Sequence, residues 1–131
     1  MHGNYFFPMR EAKKIILIID DSALIVERLI NILKDLKNVG SIKLAGTCAE
    51  ANILLEQSQP QIIFLDIHLP DKSGIELLNK IKTSHPEIIV IMFTNQGSDS
   101  YKALCIELGA NYFIDKSKDF ELIPEIISSL N

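Results

Sequence analysis

Five polar residues that stand at the ends of short apolar runs have side chains suited to chemistry. They are the adjacent carboxylates Asp20 and Asp21, then Asp66, Thr94 and Lys116. If the three carboxylates met at ~4 Å, each like-charge pair would cost about 4 kcal/mol at an effective dielectric near 20, so the site would need a proton or a cation. Oxygen ligands in this number favour Mg²⁺. A lysine and a hydroxyl beside the metal would complete a site for a phosphoryl group on, or next to, a carboxylate.

The elements that must position these residues alternate along the chain. Apolar runs without polar alternation predict strands covered on both faces, and they lie at Ile15–Ile19, Ile42–Ala45, Ile62–Leu65, Ile88–Phe93 and Tyr112–Ile114. Segments with helical periodicity separate and follow the runs, and the first of them begins at Leu24. Five strand–helix alternations favour a parallel sheet with helices on both faces. In such a sheet ligands bind at the carboxyl ends of the strands, where the polar residues stand.

Helix boundary signals agree with this alternation. Thr47 and Ser73 each precede a glutamate by three positions, which is the capping-box pattern. Gly109 follows the fourth helical segment, where a left-handed C-cap is expected. Pro124 fits only if the last helix begins near Phe120 or Glu121, so that the ring lies in the first turn.

The composition is that of an ordinary globular domain. The chain has 131 residues, of which 47% are hydrophobic and 23% charged, and its net charge is −4. A mildly acidic chain lacks the basic footprint of nucleic-acid binding, and no apolar run approaches the ~20 residues of a membrane span. We therefore expect a cytoplasmic protein that binds neither nucleic acid nor membrane.

One domain is expected over residues 13–131, because this length suits one hydrophobic core. Residues 1–12 precede the first apolar run and are expected to form a flexible N-terminal arm. Cys48 and Cys105 lack metal-ligand spacing, and we interpret them as reduced, buried thiols. The three histidines show no metal-ligand spacing either, and their side chains are expected to face solvent.

The chain resembles the receiver domain of two-component response regulators from about Lys14 to Leu130. The resemblance rests on the acidic pair at 20–21 and on the segments IIFLDIHLPDKSGIELL, IVIMFTN and YFIDKS. It implies an α/β fold of the flavodoxin-like type, a doubly wound (βα)5 unit whose five-stranded parallel sheet has the strand order 2-1-3-4-5. After Lys116 the chain has Ser117, where the family usually has proline.

The resemblance implies that Asp66 is the phosphoacceptor and that Mg²⁺ is the cofactor. Asp21 would ligate the metal directly and Asp20 through water. Asp66 itself and the backbone carbonyl of His68 would complete the protein ligands. The donor would be a sensor histidine kinase or a histidine phosphotransfer protein, and the chain would be a switch in a two-component or phosphorelay pathway and not an enzyme.

The resemblance also implies a switch mechanism. Thr94 and Lys116 would contact the phosphoryl group, and Phe113 would change rotamer as the threonine hydroxyl moves. The face formed by the fourth helix, the fifth strand and the fifth helix would then change and bind a downstream protein target. We expect a monomer or a weak homodimer.

The fourth helix supplies part of that face. Ile106 is expected to be an exposed apolar contact, because Leu104, Cys105 and Leu108 are expected to take the inward positions of the helix.

Simpler interpretations exist for single residues. Asp21 or Ser22 could cap the first helix, Thr94 could be an ordinary strand residue, and Lys116 could be a solvated loop lysine. Two other functional classes also stay open. One is an interaction module that is never phosphorylated. The other is a phosphatase that forms an aspartyl phosphate, although His68 stands where such enzymes typically carry a second aspartate.

Overall fold

A computed structural model describes residues 13–95 and 99–130 of the chain. The strands are β1 Lys14–Ile19, β2 Val39–Ala45, β3 Ile62–Leu65, β4 Ile89–Thr94 and β5 Tyr112–Asp115. The helices are α1 Ala23–Leu33, α2 Cys48–Ser58, α3 Gly74–Ser84, α4 Asp99–Glu107 and α5 Ile123–Ser129, and a 3-10 turn at Phe120–Leu122 leads into α5.

The sheet is five-stranded and parallel throughout, in the order β2-β1-β3-β4-β5. The predicted fold class and strand order are therefore confirmed. The largest difference from the predicted boundaries is at β2, which begins at Val39 and not at Ile42. Its first residues pair with β1 through Lys14↔Val39. Because β2 is an edge strand with exposed residues near its start, its polar beginning carries no hydrophobic signal.

The core has two layers, one on each face of the sheet. On one face the side chains of α2, α3 and α4 pack against alternate strand residues such as Leu17, Ile19 and Met92. On the other face α1 and α5 pack against strand residues of the opposite parity, such as Ile16 and Ile18. Helices on both faces explain why the strands read as continuous apolar runs.

The helix ends follow the predicted signals. Thr47 accepts a hydrogen bond from the Glu50 amide at 3.0 Å, and Ser73 accepts one from the Ile75 amide at 3.1 Å. Gly109 has a φ of 107°, the left-handed conformation that a glycine C-cap permits. Pro124 lies in the first turn of α5.

Leucines of three predicted helical segments are exposed, among them Leu122 at 47%. Leu24 is 75% exposed and Leu104 is 40% exposed, so the expectation that Leu104 faces inward is wrong. In α4 only a narrow stripe faces the sheet, with Cys105 fully buried and Leu108 partly buried. Leu104 stands about 100° around the helix from Cys105, and this places it on the flank. The predicted exposure of Ile106, at 47%, is confirmed.

Other expectations about single side chains are confirmed within the described residues. His68 and His85 are exposed. Cys48 and Cys105 are buried and free. Residues 1–12, including His2 and the predicted arm, lie outside the described residues. Among the residues that the structure describes, no helix has the length and apolarity needed to cross a lipid bilayer.

Candidate functional site

The site lies at the carboxyl edge of the sheet and its residues continue the strand ladders. Asp20 follows β1 and its amide donates to the carbonyl of Ala45 at 2.9 Å. Asp66 follows β3 and its amide donates to the carbonyl of Ile19 at 3.0 Å. The amide of Lys116, after β5, donates to the carbonyl of Thr94 at 3.1 Å. The sheet therefore fixes the backbone from which these functional side chains start.

Lys116 joins two of the carboxylates. Its Nζ lies 2.5 Å from Oδ2 of Asp20 and 3.0 Å from Oδ2 of Asp66. The lysine side chain is 5% exposed, and the two carboxylates are 2% and 9% exposed. Lys116 is thus the buried ion-pair partner of Asp20 and Asp66, and the simpler interpretation as a solvated loop lysine is wrong.

Asp20 carries a carboxylate oxygen that is suited to a cation. Its Oδ1 accepts a hydrogen bond from the Ser22 amide at 2.8 Å. Its Oδ2 is buried and is paired with the Lys116 ammonium at 2.5 Å. Burial raises the pKa of Asp20 above its ordinary value of 3.8, although the Lys116 ammonium and the Ser22 amide favour the charged form.

The third carboxylate completes an acidic cluster. Asp20, Asp21 and Asp66 each offer an oxygen within 4.8 Å of the others, and Asp21 is on the exposed side. The N-cap of α1 is Ser22, whose hydroxyl accepts from the Ile25 amide at 3.4 Å, so Asp21 is not the cap. Three carboxylate oxygens that lie close together, one of them open to solvent, fit a Mg²⁺ ion that keeps part of its water shell.

The loop between β3 and α3 folds back on Asp66. His68 and Ser73 form an antiparallel bridge across the loop, and the Gly74 amide donates to the Ile67 carbonyl at 2.7 Å. A Cβ on Gly74 would lie 1.9 Å from the carbonyl oxygen of Asp66, so this position accepts only glycine. In the segment IIFLDIHLPDKSGIELL this glycine comes eight residues after Asp66, and the close approach is the physical reason for a glycine there.

The His68 amide donates to Oδ1 of Asp66 at 3.4 Å. Its imidazole is exposed and stands edge-on to Tyr101, with ring centroids 6.2 Å apart. This arrangement leaves the His68 carbonyl as a predicted metal ligand and the imidazole outside the acidic cluster.

Sequence analysis missed Asp71 in the same loop. Its two oxygens accept hydrogen bonds from the Cys48 amide at 2.9 Å and the Ala49 amide at 3.0 Å. These bonds, the Cys48 bond first, hold the pKa of Asp71 below its ordinary value of 3.8. Asp71 therefore connects the loop between β3 and α3 to the N-terminus of α2. A local sequence pattern cannot predict this contact, because Asp71 is at least 22 residues away from the two amides in the sequence.

The two predicted switch residues lie on one face of the sheet. Thr94 is fully buried at the end of β4. Phe113 pairs in register with Met92, two residues before Thr94, and belongs to the layer with α2, α3 and α4. Tyr112 belongs to the opposite layer. Since strand side chains alternate, Thr94 and Phe113 share a face.

Comparison with known proteins gives one consistent family. Residues 16–128 match the family model described as response regulator receiver domain. The chain is 32% identical over 111 residues to a protein-glutamate methylesterase/protein-glutamine glutaminase of Rhizobium johnstonii, a match that covers 83% of this chain and 32% of that protein. It is 33% identical over 75 residues to regulatory protein LuxO of Vibrio vulnificus, covering 57% of this chain and 17% of that protein.

Solved structures agree with this family. The signal receiver domain of a DNA-binding response regulator from Colwellia psychrerythraea superposes with a TM-score of 0.82 at 28% identity, covering 88% of this chain and 95% of that one. A CheY-like receiver domain protein from Methanospirillum hungatei has a TM-score of 0.78 at 29% identity, covering 88% and 92%.

The doubly wound sheet, the acidic cluster and the match over residues 16–128 place the chain in the response regulator receiver domain family of two-component systems. It spans about a third, or less, of the length of the curated relatives described above. The methylesterase and glutaminase activities in the name of one relative belong to that protein. The family supports a signalling role as a phosphoacceptor for this chain.

Proposed function

We propose that the chain is the phosphoacceptor switch of a two-component or phosphorelay pathway, with Asp66 as the acceptor. The observation that carries the proposal is the meeting of three carboxylates and one buried ammonium at the carboxyl edge of the sheet. Of the three carboxylates, Asp66 lies centrally, because it follows β3, the middle strand of the five.

The proposed step transfers a phosphoryl group from a phosphohistidine. A carboxylate oxygen of Asp66 attacks phosphorus, the phosphorus–nitrogen bond breaks, and the released imidazole takes up a proton. Lys116 would pair with the charge on the phosphoryl oxygens, because its ammonium already lies 3.0 Å from the acceptor carboxylate. The Thr94 hydroxyl would donate to another phosphoryl oxygen.

Mg²⁺ is the proposed cofactor. Asp20, Asp21, Asp66 and the carbonyl of His68 would hold it, and when bound it would neutralise negative charge at the phosphoryl oxygens. The support from this chain is the cluster geometry, in which three carboxylates each offer an oxygen within 4.8 Å of the others.

The proposed output surface consists of α4, β5 and α5. Movement of Thr94 toward the phosphoryl group would make room for the Phe113 ring, which lies partly buried on the same side of the sheet. Leu104 and Ile106 expose apolar surface on α4 and are candidate contacts for a downstream protein target. We propose that the chain works as a monomer or a weak homodimer.

The donor would be a sensor histidine kinase or a histidine phosphotransfer protein, and each molecule would take one phosphoryl group without turning over a substrate. We propose residues 13–131 as the receiver unit, residues 1–12 as an arm, and the cytoplasm as its location. Two free, buried thiols are consistent with a reducing compartment.

The test is incubation with acetyl phosphate and Mg²⁺, followed by intact mass measurement. The wild-type chain should gain one phosphoryl mass, and Asp66→Asn should gain none. Asp35→Asn is the matched control, because Asp35 is an exposed carboxylate between α1 and β2, at the opposite edge of the sheet.

The alternatives give different results in the same assay. A wild-type chain that never gains mass would favour an interaction module that is not phosphorylated. Sustained release of phosphate well beyond one equivalent per chain would favour a phosphatase. An adduct that persists in Asp66→Asn would show that another residue is the acceptor.

A further inference from the structure

The segment from Asp115 to Asp119 connects β5 to the 3-10 turn and carries Lys116. The Asp115 carbonyl accepts from the Lys118 amide at 3.3 Å and from the Asp119 amide at 2.9 Å, so the chain turns sharply after the strand. Its side chain closes the same turn. Oδ1 of Asp115 accepts from the amide of Ser117 at 2.7 Å and from its hydroxyl at 2.5 Å.

The carboxylate of Asp119 also stabilises the turn. Oδ2 of Asp119 accepts a hydrogen bond from the Asp115 amide at 3.0 Å. Asp115 and Asp119 are therefore hydrogen-bonded to each other at the two ends of the turn, and Lys116 lies between them in the sequence. The hydrogen bonds from Ser117 hold the pKa of Asp115 below its ordinary value of 3.8, so its acceptor oxygens are fully charged at neutral pH.

The residues on both sides of the turn are anchored in the core. Phe120 is buried and packs edge-on against Phe93, with ring centroids 5.2 Å apart, under the guanidinium of Arg28 at 3.8 Å from the ring centre. Upstream, β5 pairs with β4. Between these anchors the Lys116 amide is held by the Thr94 carbonyl at 3.1 Å, and the backbone after it, at the exposed residue Ser117, is held by the side chain of Asp115.

The turn matters because Lys116 must reach two carboxylates at once. A lysine side chain has four rotatable bonds, so a fixed backbone reduces the conformational freedom that its ammonium loses when it pairs with both carboxylates. The sequence has Ser117 where the receiver family usually has proline. Proline would restrict the backbone by its ring and would lack the amide that donates to Asp115. In this chain the hydrogen bonds from Ser117 to Asp115 restrict the backbone instead.

We propose that Asp115 is a positioning residue for phosphoryl transfer, which fixes the turn through Ser117 and thereby holds the Lys116 ammonium against Asp20 and Asp66. The inference rests on the proposed phosphoacceptor function and adds a residue to it. Asp115 touches none of the reacting groups in this role.

The experiment compares rates of phosphorylation by acetyl phosphate with Mg²⁺, followed by intact mass. Asp115→Ala should slow the reaction about tenfold, within the roughly 100-fold that a 1 Å misplacement of a reacting group can cost. Asp115→Asn should stay within about twofold of wild type, because its amide oxygen can still accept from Ser117. Asp35→Ala, at the opposite edge of the sheet, is the control and should react as wild type.

A double-mutant cycle separates positioning from general structural damage. In a Lys116→Met background, Asp115→Ala should produce no further slowing, because the group it positions is gone. Equal slowing in both backgrounds would overturn the proposal. So would a wild-type rate for Asp115→Ala, or an Asp115→Asn variant as slow as Asp115→Ala.

A readout without phosphorylation keeps this inference distinct from the proposed function. The buried Lys116 ammonium, held by two carboxylates, should give a slowly exchanging ¹H–¹⁵N signal in the wild-type chain and in Asp115→Asn. Asp115→Ala should lose that signal. If the wild-type chain takes no phosphoryl group, the proposed function fails and this signal alone decides the inference. A signal retained in Asp115→Ala would refute it.

Discussion

Replacing Lys116 with methionine removes one charge from a buried cluster of opposite charges and keeps most of the side-chain volume. The ammonium lies 2.5 Å from an Asp20 oxygen and 3.0 Å from an Asp66 oxygen, and all three side chains are at most 9% exposed. The variant leaves two carboxylates with oxygens within 4.8 Å of each other and removes the ammonium that is paired with both.

The expected loss of stability follows from that geometry. At about 5 Å and an effective dielectric near 20, the repulsion between the Asp20 and Asp66 carboxylates that Lys116 no longer offsets is about 3 kcal/mol. Leaving buried charge unpaired by removing one partner typically costs about 3–5 kcal/mol. We expect the free energy of unfolding to fall by about 3–5 kcal/mol in the absence of Mg²⁺ at neutral pH. This is a large fraction of the stability of a small domain.

Magnesium should reverse part of the loss. The metal would neutralise the carboxylates that Lys116 otherwise pairs, so Mg²⁺ should stabilise Lys116→Met more than wild type. At 100 times the dissociation constant, the gain from binding alone is about 2.7 kcal/mol. The assay is urea unfolding of both proteins in chelator and in Mg²⁺, followed by far-UV circular dichroism.

Lys82→Met is the matched control. Lys82 is also partly buried, and its Nζ donates to the Ile88 carbonyl at 2.5 Å and to Oδ1 of Asn111 at 2.9 Å, with no contact to the acidic cluster. The Lys82→Met variant should be less stable than wild type, but Mg²⁺ should stabilise it by the same amount as wild type. The reasoning is refuted if Lys116→Met unfolds within about 1 kcal/mol of wild type in chelator, or if Mg²⁺ stabilises both variants equally.

Three further predictions test the supports around the site. Gly74→Ala places a Cβ 1.9 Å from the Asp66 carbonyl oxygen, so we expect about 1–3 kcal/mol or more of destabilisation and slower phosphorylation; an unchanged thermal melt would contradict the close approach. Asn38→Ala removes an amide that donates to two carbonyls at the end of α5, at 2.7 and 3.0 Å, and should cost about 1–3 kcal/mol in urea unfolding while leaving the phosphorylation rate unchanged, unlike a site variant. Asp71→Ala loses a carboxylate whose pKa is held low chiefly by the Cys48 amide. Its stabilisation is therefore present above pH 3.8 and lost below, and a difference from wild type that grows on acidification would exclude this role.

The sequence determined the strand ends and the chemistry placed there. Continuous apolar runs report burial on both faces, and the first polar residue after a run marks the carboxyl end of a strand. This is why Asp20, Asp66 and Lys116 could be assigned to one edge before their distances were known. The N-caps at Thr47 and Ser73 were also predictable, because a cap depends on neighbours three residues away.

The tertiary structure decided the contacts that hold the site in place. Asp71 meets the N-terminus of α2 across at least 22 residues of sequence. The exposure of Leu104 depends on how narrow a stripe of α4 the sheet covers. The full length of β2 depends on its pairing with β1 at an exposed edge, where hydrophobicity gives no signal.

The turn at Asp115 shows the same division within a single short segment. Residue types there favour a turn, since Asp and Ser bind nearby backbone. The contacts of Lys116 that follow this turn are decided by the tertiary structure, because its partners Asp20 and Asp66 lie 96 and 50 residues earlier in the chain. Local patterns record how a residue is buried, whereas partners distant in sequence are brought together by the packing of helices on the sheet, and only the folded chain specifies that packing.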